Sequence, residues 1–574
     1  MNDFDALEHY WYFFQPPQAD TNTARIIKAL GDRLVRYLLA APERPELSEV
    51  VAAADPRVIR ALDGMSSSVL HGVFDLDSVA NLLTVFVPET QTTLGNTLRL
   101  RAGGDLPAVP SNPDPLTQAL LFVARETWTQ MLTPRAIMPG FALPHFGVRS
   151  GIGETHPLRR STIHLALNDP ELHRMFPHSI ESTDPLTGET YVSDAVGDWI
   201  SSTGAAGTQY LSMVLWNLVA MSGFRALSLA GELSFPKLCE QLPVAVNDLR
   251  GLAAGREVNI PLVSGVTGLS ISPDLIFQVG EGEVRQLTEL EKSWYFLDLA
   301  EVRSALFTEV PTRWIPLPRP DAGDDPEAYF STLEVMSRKL QKYRQVTNDR
   351  ITNVQLAVLL SEDLDSTLTF AEQGRLYLEP SGQGPWTLMQ WWPRPVAPRH
   401  QRGETVNISS PETDFADWWL LLEQNETDVL RLAFDRSIRA ATERDRPSDR
   451  LVDCMIALES LVGGESEMTF RVSLAIAWAL EPESETARRD LQERMKSIYH
   501  RRSRLVHGSR TDDESLEALA EEAFIVLVRL IRVLLRDRPE LLSLRNGTER
   551  SLALCLRGEG GTVNESFATN VPYD

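Results

Sequence analysis

At 574 residues, the chain is too long for one hydrophobic core, and its length predicts roughly two to four domains. A hydrophobic fraction of 43% and a charged fraction of 23% are ordinary for a folded soluble protein. The formal net charge of −24 argues against nucleic-acid binding by the whole surface, although it leaves a local basic site open.

The compartment is predicted from what the sequence lacks. No apolar run approaches the roughly 20 residues that a membrane span needs, and the acidic start Met1-Asn-Asp-Phe-Asp does not resemble a secretory signal. The cysteines Cys239, Cys454 and Cys555 are far apart, which excludes a disulfide framework and a cysteine-rich zinc site. We therefore expect a cytoplasmic protein without a membrane partner.

Residues 1–310 are expected to form a mixed α/β N-terminal region, which the proline- and glycine-rich stretch 103–115 would subdivide. Apolar residues at helical spacing predict helices within 1–60 and at 116–131, and a buried core helix at 211–227. Short β-rich runs predict strands at 258–263, 269–272 and 275–279.

Residues 311–410 are expected to form a small α/β module between proline-rich linkers, at 311–325 and 392–403. An amphipathic helix is predicted at 327–345. Strands are predicted at 354–360, 366–370 and 375–378.

Residues 411–545 are expected to be all-helical, and residues 546–574 to be a loose C-terminal tail. The predicted helices span 414–446, 448–462, 470–480, 484–506 and 512–538. Short connections between them predict a helical bundle. The predicted fold class is therefore α+β multidomain: a mixed α/β N-terminal region followed by a C-terminal all-α bundle.

The helix predicted at 484–506 carries the chemically most informative residues. Leu491, Met495, Ile498 and Leu505 form its apolar stripe, and Arg502 falls in the middle of that stripe. An inward guanidinium must be paired or line a cleft, because an isolated buried charge is very costly. His507 is expected in the last turn before Gly508, where the helix dipole favours the protonated imidazole.

The window 487–510 contains eight basic residues and two acidic ones, although the chain as a whole is acidic. A concave basic patch that includes a histidine suits a phosphodiester substrate. Histidine can deprotonate a ribose 2′-OH or protonate the leaving oxygen, and arginine can stabilise the charge that develops on phosphorus. This attack by the 2′-OH requires no metal.

Three segments together resemble the Apea-like branch of the HEPN superfamily: the run from Asp449 to Gly464, the run from Phe470 to Leu480, and Ile498-Tyr-His-Arg-Arg-Ser-Arg-Leu-Val-His-Gly. HEPN ribonucleases carry an arginine, four to six intervening residues and a histidine, often with a polar residue directly after the arginine. Arg502, Ser503 and His507 match this pattern, and Arg501 satisfies the spacing as well. Ala475 stands where a second basic residue is expected.

The resemblance implies a metal-independent RNA endonuclease without a cofactor, which dimerises through its HEPN bundle. Many members are toxins or antiviral defence proteins, including abortive-infection effectors, and cleave tRNA or another cellular RNA. The expected catalytic residues are Arg502, His507 and Ser503. The residues expected to guide the RNA backbone are Arg501, Arg504, Arg510 and Arg494. The N-terminal region is expected to sense a trigger, such as a protein, or to restrain the bundle.

Structural interpretations of the same residues stay open. Arg502 could be a buried arginine paired to Asp453 or Glu459, and His507 could cap a helix C-terminus through free carbonyls. The chain would then be a non-catalytic HEPN scaffold or dimerisation protein.

Other patterns predict no further site. His145, His156 and His164, with Glu154 nearby, have spacings that match no metal motif, so we expect no metal ion. The absence of any Gly-Lys dipeptide excludes a phosphate-binding Walker A loop.

Overall fold

The structure is a computed structural model. It describes residues 23–42, 46–73, 75–134, 152–153, 156–183, 187–204, 206–267, 269–295, 302–317, 326–361, 371–379, 406–408, 410, 414–424, 430–442, 444, 446–463, 468–506 and 513–556.

The helices of these residues are numbered in chain order. They are α1 Thr23–Leu30, α2 Asp32–Leu38, α3 Leu47–Ala53, α4 Pro56–Leu70, α5 Leu76–Leu83, α6 Leu94–Arg101, α7 Pro115–Glu126, α8 Trp128–Leu132, α9 Pro157–Leu167, α10 Pro170–Met175, α11 Leu211–Ala230, α12 Phe235–Ala253, α13 Glu289–Tyr295, α14 Pro326–Leu360, α15 Phe415–Gln424, α16 Arg431–Thr442, α17 Pro447–Val462, α18 Met468–Leu480, α19 Glu485–Val506, α20 Asp513–Arg532 and α21 Gly547–Leu556. A π-helical turn at Val533–Asp537 extends α20, and a 3-10 turn follows at Pro539–Ser543.

The strands are numbered in the same way. They are β1 Phe86–Val87, β2 Thr92–Thr93, β3 His178–Thr183, β4 Thr190–Ser201, β5 Ala206–Tyr210, β6 Val258–Thr267, β7 Leu269–Ile271, β8 Ile276–Val279, β9 Gly282–Gln286, β10 Ser304–Thr312, β11 Trp314–Pro316, β12 Ala371–Tyr377 and β13 Val406–Ile408.

Asp-Pro pairs start several N-terminal helices. The side chains of Asp55, Asp114 and Asp169 accept hydrogen bonds from backbone N–H groups in the first turns of α4, α7 and α10. The proline that follows each aspartate has a fixed φ suited to the first helical position and leaves no N–H unpaired there. These helix starts are therefore determined locally by the sequence.

The largest sheet is antiparallel and has five strands in the order β12-β6-β10-β9-β8. A second sheet has β4 at its centre, paired with β3, β5 and β11. Strands β7 and β13 form a short parallel pair. Because β12 pairs with β6, the largest sheet combines strands from the segments 1–310 and 311–410.

The five-stranded sheet separates two hydrophobic cores. On β10, Ala305 and Phe307 pack into a first core with the N-terminal helices, whereas Leu306 and Val310 pack into a second core with the C-terminal helices. Successive side chains of a strand point to opposite faces, so both faces of this sheet are covered. The sheet therefore lies between two helical layers.

The structure confirms the mixed α/β fold with a helical C-terminal region. It also confirms the predicted helix at 211–227 and the predicted strands of the 255–280 stretch. The segment predicted as one helix at 116–131 forms two, α7 and α8, which are separated at Thr127. In the described part of the chain, one helix, Leu211–Leu229, is long and apolar enough to cross a membrane, and 89% of its apolar window is buried inside the fold. This helix is α11, which packs in the first core as predicted.

The predicted linker at 311–325 is wrong over its first part. Residues 311–312 end β10, and Trp314–Pro316 form β11. Trp314 is buried and stacks on Trp199 of β4 with ring centroids 4.7 Å apart. Pro316 is accommodated because β11 lies at the edge of its sheet, where a missing N–H costs no ladder hydrogen bond. Residues 318–325 lie outside the described part.

The strand predicted at 354–360 is also wrong, because these residues form the last turns of the 35-residue helix α14. Val354, Leu356, Ala357 and Val358 are all buried in the second core. A short apolar run that is buried on every side does not distinguish a strand from a helix, so only packing decides. Residues 366–370 lie outside the description, and the strand predicted at 375–378 is confirmed as part of β12.

The C-terminal helices agree with the prediction except at two places. Within the segment predicted as one helix at 414–446, the structure describes α15 and α16, and residues 425–429 between them lie outside the description. The predicted loose tail is wrong for α21, which packs on α17 and α18.

Arg550 of α21 is buried, and burial lowers its pKa. Its guanidinium donates to the backbone oxygens of Leu461 at 2.6 Å, Ser460 at 2.9 Å and Leu544 at 3.0 Å.

Replacing Arg550 by alanine should destabilise the C-terminal helices. The change removes one buried and two partly buried hydrogen bonds to backbone oxygens and opens a cavity, so we expect a loss of roughly 2–4 kcal/mol of unfolding free energy. Urea denaturation followed by tryptophan fluorescence measures it. The exposed Arg545 provides the control, since Arg545→Ala should cost less than about 0.5 kcal/mol. Equal unfolding midpoints for both variants would contradict a stabilising role of the hydrogen bonds that Arg550 donates.

Candidate functional site

Helix α19 positions the residues that the sequence singled out. The Ser484 side chain accepts a hydrogen bond from Ala487 N at 3.2 Å, so Ser484 caps the start of this helix. Leu491, Met495 and Ile498 are buried in the second core and orient the helix about its axis. The description of α19 ends at Val506, so His507 and Arg510 lie outside the described residues.

Arg502 lies on the inward face of α19, as its place in the apolar stripe predicts. Its side chain keeps 29% of its exposure, so the guanidinium is at the boundary between core and solvent. Its ion-pair partner is Glu459 of α17, at 3.9 Å between Nη2 and Oε2. Within the described part of the chain, the buried Nε of Arg502 has no hydrogen-bond acceptor. The arginine is therefore only partly neutralised by its protein surroundings.

Glu459 forms the other side of this site together with Tyr499. Burial raises the pKa of Glu459 above its ordinary range, although Arg502 and Tyr499 act to lower it. Tyr499 is buried, and burial raises the pKa of its phenol, so the hydroxyl keeps its proton. The site thus combines a guanidinium, a carboxyl group and a phenol at one junction of α17 and α19.

Asp453 belongs to a different cluster. Its carboxylate is buried and pairs with Arg436 at 2.6 Å and with Arg444. The sequence left Asp453 and Glu459 open as partners of Arg502, and in the structure the partner is Glu459. Asp453 instead joins α17 to α16 and to the segment that follows α16.

The basic residues of the 487–510 window do not share one face in the described part of α19. Several are engaged elsewhere: Arg488 lies over the Trp478 ring at 3.7 Å, Arg489 pairs with Glu485 at 3.0 Å, and Arg494 pairs with Glu522 at 3.5 Å. Three of the basic side chains in this window therefore contact neighbouring groups of the same helical region.

The residues next to Arg502 point in different directions. Successive helical residues are rotated by about 100°, so Arg504 lies on the side of α19 away from Arg502. Ser503 and Arg504 are exposed, whereas Arg501 is half-buried. Arg501 and Arg494 are seven residues apart and share a side of the helix. A single bundle therefore brings Arg502 together with Glu459 and Tyr499, but not with Arg504.

The position of Ala475 explains the missing basic residue. Ala475 of α18 is completely buried in the second core. A lysine or arginine at this position would place its charge in the core without solvent, which is strongly unfavourable. Helix α18 therefore contributes a buried apolar side chain at this position, and no charge.

The sequence analysis did not single out Tyr499. A signal was available, because Tyr499 follows Met495 by four residues and so falls on the same stripe. The stripe was defined by aliphatic residues, and a tyrosine with a polar end was left out of it. The Tyr499 hydroxyl is buried and makes no hydrogen bond among the described residues. Its position near Glu459 depends on how α17 and α19 pack, and no spacing in the sequence indicates it.

His156 and His164 do not form a site together in the described part of the chain. His156 is buried at the start of α9, where its Nδ1 accepts from Leu158 N at 3.2 Å and its Nε2 lies 3.9 Å from Glu126. His164 is exposed on the same helix. His145 and Glu154 lie outside the description. His156 therefore has a structural role at a helix start.

Comparisons of the chain with protein-family models, with curated proteins and with solved structures find no match. The resemblance to the HEPN superfamily thus depends on the motifs of the sequence.

Replacing Glu459 by glutamine should change how stability depends on pH. Because burial raises the folded-state pKa of Glu459, its protonated form favours folding. This contribution is present below the ordinary carboxyl pKa and is lost as pH rises through the folded-state value. Glutamine mimics the protonated form at every pH. The stability of Glu459→Gln relative to the wild type should therefore increase from about pH 4 to about pH 7.

Thermal unfolding at both pH values measures this difference. Glu493→Gln is the matched control, because Glu493 is exposed on α19. A wild-type advantage that grows towards pH 7 would show that attraction to Arg502 outweighs burial.

Proposed function

We propose that this protein is a metal-independent RNA endonuclease of the HEPN type. The observation that carries the proposal is Arg502: a guanidinium on the inward face of a packed helix, with one carboxylate partner at 3.9 Å and a buried Nε without an acceptor. A cation that keeps 29% of its side-chain exposure and has its carboxylate partner 3.9 Å away suits an anionic ligand. The resemblance of the sequence to HEPN ribonucleases identifies that ligand as RNA.

In this proposal, Arg502 stabilises the charge that develops on the phosphate, and His507 is the general acid or base. Ser503 is a polar helper, and Arg501, Arg504, Arg510 and Arg494 guide the RNA backbone. Since Arg502 and Arg504 lie on different sides of α19, one RNA strand would meet both only where a second copy completes the cleft. The proposal therefore includes a homodimer.

The proposed setting is a cytoplasmic defence or toxin-type effector that cleaves tRNA or another cellular RNA. The N-terminal layer, which shares the five-stranded sheet with the C-terminal helices, is proposed to control the activity in response to a trigger. The shared sheet provides a direct mechanical link between the two layers.

Cleavage of total cellular RNA in the presence of EDTA tests the proposal. His507→Ala should lower the rate by about 100- to 10,000-fold, because it removes the proton-transfer group. Arg502→Ala should lower it by about 100- to 1,000-fold through loss of charge stabilisation. In cells, growth inhibition on expression should be relieved by the same two substitutions.

Arg489→Ala is the matched control, because Arg489 lies on the same helix but is exposed and pairs with Glu485. It should leave cleavage unchanged. No cleavage by the wild type with cell extract or RNA from infected cells added as a source of trigger, or equal cleavage by wild type and His507→Ala, would refute the nuclease proposal.

A non-catalytic HEPN scaffold is the second candidate, and the contact between Arg502 and Glu459 favours it. In a scaffold this pair joins α17 to α19 and no reaction depends on it. Substitution of Arg502 or His507 would then leave the cellular function intact. A change on the bundle face, at the half-buried Leu505, would abolish it.

A further inference from the structure

Helix α18 presents a row of large apolar side chains that the fold leaves partly open to solvent. Phe470, Leu474 and Trp478 follow one another at every fourth residue, which places them on one side of the helix. Phe470 keeps 51% of its exposure, and Leu474 and Trp478 are half-buried. On the opposite side of α18, Ala475 and Ile476 are fully buried in the second core.

Cations of α19 lie over both aromatic rings of this row. The ammonium group of Lys496 is 5.6 Å from the centre of the Phe470 ring, and the guanidinium of Arg488 is 3.7 Å from the centre of the Trp478 ring. Arg488 Nη1 also donates to the two carbonyls that follow α18, at 2.9 and 2.7 Å, which fixes the guanidinium plane against the indole. These four residues define the α18–α19 surface.

The two ring–cation pairs repeat at the same interval on both helices. Phe470 and Trp478 are eight residues apart, and so are Arg488 and Lys496. At 1.5 Å per residue, the pairs are separated by about 12 Å along the helices. A single-stranded nucleic acid also repeats an aromatic group and a charge, because each nucleotide brings a flat base and a phosphate. Proteins that bind such strands stack the bases on aromatic rings and hold the backbone with cations.

The charge of the two helices favours a polyanion. Residues 488–504 contain seven arginines or lysines against Asp490 and Glu493, although the whole chain has a net charge of −24. The only charged residue of α18 is Arg471. Within the described part of the chain, Lys496 has no carboxylate at ion-pairing distance. Its charge is therefore left to solvent or to an anionic ligand.

From these observations we infer that the α18–α19 surface binds single-stranded nucleic acid. An unpaired base stacks on the exposed side of the Phe470 ring, and Lys496 contacts the phosphate next to it. At the other end of the surface, the guanidinium plane of Arg488, held against Trp478, provides a second plane on which a base can stack.

Exposed residues of α19 extend this surface towards Arg502. His500 and Arg504 lie one and two turns beyond Lys496 and are both exposed. A strand that follows them reaches the end of the helix that carries Arg502. That the strand is RNA rests on the proposed nuclease function, whereas the stacking and the phosphate contacts do not, because DNA offers both.

Fluorescence anisotropy of the full chain with a labelled oligo(dT) of about twelve nucleotides tests the inference. DNA has no 2′-OH, so the proposed nuclease cannot cut the probe, and a failure of binding is distinguishable from a failure of cleavage. At low salt, oligo(dT) should bind at least about fivefold more tightly than an abasic strand of the same length, because only the strand with bases can stack.

Two variants separate stacking from charge. Phe470→Leu keeps an apolar side chain but removes the ring, so it should weaken oligo(dT) binding about fivefold or more and leave the salt dependence unchanged. Lys496→Gln removes one phosphate contact, so it should reduce the slope of log affinity against log salt by about 0.7. Phe330→Leu and Lys339→Gln make the same changes at exposed positions of α14 and should bind as the wild type does.

Any one of three results would overturn the inference. The first is absence of oligo(dT) binding at about 100 μM protein, the weak end of non-specific nucleic-acid affinities. The second is equal binding of the abasic strand and oligo(dT), which would indicate a surface for polyanions in general, such as an acidic protein segment. The third is binding by Phe470→Leu and Lys496→Gln that matches their α14 controls in both affinity and salt slope.

Discussion

The burial of the five-stranded sheet on both faces is the constraint on which the rest of the structure depends. Strand β10 sends Phe307 into the first core and Leu306 into the second, so neither layer of helices can pack without the sheet. The second core continues from Leu306 through Trp419 of α15 to Met495 of α19. Helix α15 and the helix that carries Arg502 are thus parts of one packed body.

The balance of charge at the α17–α19 junction follows from this packing. Burial destabilises the ionised form of the Glu459 carboxyl group. Attraction to Arg502, 3.9 Å away, offsets this effect only in part, so the pKa of Glu459 is raised. A weak pair leaves the arginine available to an anion, whereas a close bidentate pair would have occupied its donors.

The differences between prediction and structure have two physical sources. Prolines at 311–320 predicted a linker, but the stacking of Trp314 on Trp199 and the edge position of β11 make a strand favourable there. The apolar run 354–360 predicted a strand, but its burial within the second core extends α14 instead. In both cases, contacts with residues distant in sequence outweigh the local preference.

The sequence by itself determined the helical C-terminal region, the capping of α19 by Ser484 and the inward position of Arg502, because these depend on spacings within one helix. Only the tertiary structure decided that Glu459 faces Arg502, since the partner depends on how α17 packs against α19. The same holds for the burial of Arg550 and for the contact of Lys496 with the Phe470 ring. Each joins residues from different segments of the chain, and no local pattern records which segments will meet.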